Sequence, residues 1–70
     1  MQEPDTIYVG TREAVIAELG GLAHIYPGRY LVQPDGPAQY DAEGADTLKG
    51  AKALVAELRQ VYPNARVCWL

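Results

Sequence analysis

The sequence predicts an α+β domain: an antiparallel four-stranded sheet with two helices on one of its faces. Three observations carry that expectation. Two stretches place apolar residues at helical spacing, and β-branched and aromatic runs flank them. Dense Pro/Gly signals separate the segments, which then read β-α-β-β-α-β. Seventy residues and 7.6 kDa leave room for one thin core, so residues 1–70 are read as a single domain.

The first strand is Asp5 to Gly10, where Thr6, Ile7, Tyr8 and Val9 favour an extended chain and Gly10 ends it. Thr11 can cap the helix that follows, with Glu13 opposing the positive end of its dipole. Val15, Ile16, Leu19 and Leu22 share a side, and Gly20-Gly21 stops the helix, which puts Leu22 beyond its end. Pro27-Gly28 turns the chain into a second strand, Arg29 to Gln33, and Pro34-Asp35-Gly36-Pro37 turns it again. Ala38 to Ala42 reads as the antiparallel return strand. The stronger helix starts at Asp46 or Thr47 and runs to Tyr62. Leu48, Ala51, Val55, Leu58 and Tyr62 form its stripe, with Leu54 and Val61 widening it. Pro63-Asn64 ends it, and Ala65 to Leu70 reads as a strand.

This order is the one a ferredoxin-like arrangement requires. Right-handed crossovers from strand one to two and from three to four would put strands one and three in the middle. A rival reading makes Leu22 to Tyr26 a fifth strand, hairpinned through Pro27-Gly28.

Composition excludes several classes. A net charge of −3 and a pI near 4.8 argue against direct nucleic-acid binding and against anionic membranes. One cysteine rules out an internal disulfide, and one histidine with one cysteine cannot build a standard zinc site, so no metal or cofactor is expected. Met1 to Asp5 is acidic and lacks the apolar run of a signal peptide, which predicts a cytoplasmic protein.

Residues proposed for chemistry read better as structure. His24 titrates nearest neutrality but has no nucleophile at useful spacing. Cys68 lies within the last strand between Val67 and Trp69, where cysteine packs as a small apolar residue, with Arg66 on the same strand face. Gly20-Gly21 and Pro27-Gly28-Arg29 fit no phosphate-binding spacing. Asp41 and Glu43 could in principle do acid–base work, but so small a core rarely encloses a pocket. No enzymatic activity is therefore expected.

A partner is expected instead. So small a chain has little stability to spare, and an open sheet leaves a bare face and two edges. If Ile7 and Val9 face the helices, Tyr8 faces outward. The same alternation offers the open face Tyr40, either Tyr30 or Leu31, and either Trp69 or Cys68. Tyr8, Tyr30, Tyr40 and Trp69 are accordingly the expected anchors for another protein, most simply in a homodimer. Two tyrosines on central strands also suggest base stacking, but the RNA-recognition motif and any phenylalanine are missing.

Charge supplies an alternative. Residues 1–46 carry a net of −6 and residues 47–70 a net of +3. Asp35, Asp41, Glu43 and Asp46 occupy one turn-rich stretch, while Lys49, Lys52 and Arg59 share a helix side. Those four acids would suit an inhibitor, encoded by a phage or mobile element, that occupies a basic surface of a host nuclease or DNA-binding complex. A regulatory module holding a small ligand at a dimer interface is the third expectation.

Overall fold

Each helix begins where a threonine can cap it. In the computed structural model, which describes residues 3–20 and 26–70, the Thr11 hydroxyl accepts from Ala14 N–H at 3.3 Å. That of Thr47 accepts from Gly50 N–H at 3.0 Å. The elements are β1 (Thr6–Thr11), α1 (Arg12–Leu19), β2 (Tyr30–Asp35), β3 (Glu43–Ala45), α2 (Leu48–Val61) and β4 (Arg66–Trp69). Gly20 closes α1 at φ +61°, its N–H donating to Ile16 O at 2.7 Å; Tyr62 closes α2 by donating to Leu58 O at 2.7 Å. The predicted β-α-β-β-α-β order is present. Residues 22–25, most of the rival fifth strand, and with them His24 lie outside the described residues; Tyr26 is in no strand.

The sheet departs from expectation in three ways. Its order is β3-β2-β1-β4, so β1 and β2 are central rather than strands one and three. It is mixed rather than antiparallel, because β4 runs parallel to β1 while β1/β2 and β2/β3 are antiparallel. The physical reason lies in α1. This eight-residue helix does not carry the chain across the sheet: β2 starts where β1 ends, with Thr11 opposite Tyr30 and Arg12 N–H bonded to Arg29 O at 2.9 Å. The Arg12 guanidinium also donates to the Tyr26 carbonyl, holding the returning chain. β1 and β2 thus form a hairpin whose connection contains a helix. Only the β3–α2–β4 segment is a crossover between parallel strands.

Third, the helices lie on opposite faces. Consecutive residues Leu31 and Val32 are both fully buried, and alternation sends them to different sides. Val32 joins Ile7, Val9, Ala51, Val55 and Ala65 under α2. Leu31 joins Val15 under α1, with Ile16, Leu19 and Tyr26 against them. The result is a small compact α+β fold of 28 × 25 × 17 Å with two thin cores.

β2 and β3 also shift relative to the prediction. β2 runs through Pro34, which was expected in a turn and pairs with Ile7. β3 pairs only with Tyr30 to Val32, so nothing in the ladder needs the N–H that Pro34 lacks. Residues 38–42 were expected as the strand. They are instead tied to β2 by a side chain, Gln33 Nε2 donating to Tyr40 O at 3.2 Å as well as to Pro34 O of its own strand at 2.7 Å. Gly44 fixes where β3 falls, because a Cβ there would stand 1.6 Å from the Pro27 carbonyl oxygen. No helix among the described residues is long and apolar enough to cross a membrane.

Candidate partner-binding edge

The expected aromatic anchors do not share a face. Tyr8 is half-buried on the α1 side of β1, level with Cys68 of β4 and Gln33 of β2. Tyr30 points the other way and packs against the α2 core. Tyr40 lies in no strand; its ring meets Tyr62 edge-on at a centroid distance of 6.1 Å and 80°. Partial burial holds the Tyr40 phenol above its ordinary pKa. Tyr62, Asp5 and Asp35 push the same way, and a hydrogen bond with the Ala38 backbone opposes them. Trp69, by its register with Val9, lies on the α2 side of β4 and is 50% exposed. Tyr30 and Tyr40 therefore take part in packing while remaining partly exposed, and Trp69 is the most open of the four.

The four acids are all exposed, but they divide between two elements. Asp41, Glu43 and Asp46 bracket or belong to β3, whereas Asp35 ends β2. Asp35 and Asp41 line a shallow cleft of about 380 Å³ with Gln33, Tyr40 and Tyr26. Among the described residues no group of three or more His, Cys, Asp or Glu side chains could hold a metal ion. Cys68 is half-buried and shares its face with exposed Arg66.

The two sheet edges differ. β3 is three residues long, carries Glu43, and is flanked by Asp41 and Asp46, the short charged form that discourages strand addition. β4 is one residue longer and has a single charge, Arg66, at its start. Arg66 N–H donates to Asp5 O at 3.0 Å and Leu70 N–H to Val9 O at 2.8 Å, so these residues turn their backbone groups inward to β1. By alternation Val67 and Trp69 turn theirs outward, where no described strand meets them. The helices pack chiefly over the other three strands, α1 on β1 and β2 and α2 on β1, β2 and β3. β4 is left at the margin with Trp69 half open and Leu70 42% exposed.

Sequence reasoning found Trp69, and with strands one and three expected in the middle it already implied that the last strand lies at an edge beside the first, as it does. It did not single out this edge, whose Arg66 to Leu70 run has a single charge, over the other. No protein-family model, curated protein or solved structure matches this chain.

Proposed function

We propose that this protein works by binding another protein, without catalysis of its own, and that β4 is the strand it binds with. The observation that carries this is the outer side of β4, which no described strand covers and where two backbone N–H and two C=O groups of Val67 and Trp69 face outward beside a half-exposed indole. Strand addition to such an edge gives affinity through main-chain bonds, and an aromatic beside it gives an anchor. The test is association measured by sedimentation velocity, with and without Trp69→Lys, which leaves every internal hydrogen bond of β4 in place. Loss of association supports the reading; unchanged association counts against it.

The acidic side of the molecule favours a second reading. Asp41, Glu43 and Asp46 lie exposed around the opposite edge, as an inhibitor of a basic host protein would require. Binding through them would fall steeply with salt and would be lost on their replacement by Asn or Gln. Binding through β4 would survive both changes.

A further inference from the structure

We infer that the strand added to β4 is the β4 of a second copy, antiparallel, with Val67 opposite Trp69 of the other chain and Cys68 on the twofold axis facing its own equivalent. This rests on the reading of β4 as the binding element and adds the occupant and the register.

The argument starts from which backbone groups are available. Val67 and Trp69 turn outward, and Cys68 turns inward to β1. An antiparallel partner needs pairs of residues that exchange both N–H···O bonds. Two copies of β4 satisfy all four outward residues in one register, Val67 with Trp69 and Trp69 with Val67. A shift by two residues toward either end leaves outward groups of Val67 or Trp69 unmatched or recruits residues outside the strand.

Side-chain chemistry agrees with that register. Val67 and Trp69 both lie on the α2 face, so the pairing creates two β-branched–aromatic cross-strand pairs, a combination that favours antiparallel pairing. On the α1 face Arg66 falls opposite Leu70, so the one charged residue of β4 meets no like charge. The same operation on β3 would set Glu43 and its neighbours Asp41 and Asp46 against a second acidic edge. A twofold contact of this kind is closed, since each copy has used its open edge. The sheet would become one of eight strands with β3 at both ends.

The register has a chemical signature. In a non-hydrogen-bonded antiparallel pair the Cα atoms lie about 4.5 Å apart, inside the range of about 4.4–6.8 Å that a disulfide spans. Two Cys68 thiols on the axis can therefore join when diamide removes two electrons and two protons from the pair and is itself reduced to the hydrazide.

The experiment combines sedimentation velocity of the reduced protein, from micromolar to several hundred micromolar, with brief diamide treatment resolved on a non-reducing gel. The wild type and Trp69→Lys are compared, with Trp69→Thr as a second variant that keeps strand preference, and circular dichroism monitors folding. The expected result is a reversible dimer that either variant weakens at least tenfold and that diamide converts to a covalent dimer. A dimer that both folded variants weaken but diamide does not link overturns the register while leaving the β4 reading intact. A dimer that neither variant affects overturns both. A wild type that stays monomeric throughout overturns the self-pairing, and β4 then serves a different chain.

Discussion

Truncating Leu31 separates the two-faced sheet from the one-faced sheet that the sequence suggested. On a sheet with both helices on one side, only one of Leu31 and Val32 could be fully buried; here both are. Leu31→Ala removes three carbons, about 2.4 kcal/mol at about 0.8 kcal/mol each, and leaves a cavity beneath α1 that raises the cost to about 3 kcal/mol. A domain this small commands only about 3–5 kcal/mol in total, so the variant should sit near its unfolding threshold. In temperature the loss corresponds to about 12–24 °C. The assay is urea unfolding in an osmolyte such as trimethylamine N-oxide, which keeps a measurable folded baseline. Paired substitutions sharpen it. Val15 shares the α1 core with Leu31, so Val15→Ala and Leu31→Ala should couple by at least about 0.5 kcal/mol, whereas Val15→Ala and Val32→Ala should add. A loss below about 0.5 kcal/mol for Leu31→Ala, or coupling of Val15 to Val32 rather than to Leu31, would refute the placement of α1.

Three further outcomes follow from single sites. Gly44→Ala drives a methyl group into the Pro27 carbonyl and should destabilise by about 1–3 kcal/mol in the same urea assay, since backbone rather than a flexible side chain must move. Thr47→Ala removes the cap of α2 and should cost about 1 kcal/mol, with faster amide exchange at Gly50 as the local readout. The raised pKa of Tyr40 means that the unfolded chain gives up this proton first. Its contribution is complete below about pH 10 and is lost as pH rises through the folded value. Tyr40→Phe should therefore flatten the alkaline fall in melting temperature relative to wild type.

Local structure was legible and its assembly was not. Thr11, Gly20 and Thr47 act through bonds to residues three or four positions away, so the sequence displays both partners at once. The apolar stripe of α2 was readable for the same reason, and Ala51 and Val55 are indeed its buried centre. Its margins were not: Leu48 is 45% and Val61 62% exposed, because they lie to either side of the Ala51–Val55 line, whereas Tyr62, next to Val61, still packs against the core. Strand order failed because periodicity says that a helix lies between two strands but not whether the chain crosses over or returns. The direction of return is set by Arg12 bonding to Arg29 and Tyr26, contacts more than a dozen residues distant. Alternation turns Tyr8 outward but leaves open whether Tyr30 or Leu31, and Trp69 or Cys68, shares its face; the register puts Leu31 and Cys68 there and Tyr30 and Trp69 on the other face. β3 moved to residues 43–45 because Gly44 alone can lie against Pro27, a tertiary contact with no local trace.

Amide hydrogen exchange along β4, compared between dilute and concentrated protein, tests the proposed binding strand most directly. Arg66, Cys68 and Leu70 face β1 and should be protected at every concentration. Val67 and Trp69 face outward and should exchange rapidly when dilute, then become protected together as concentration rises. Rapid exchange of Val67 and Trp69 at all concentrations would contradict pairing of β4 with a second copy, and their protection in dilute monomer would contradict an open edge altogether.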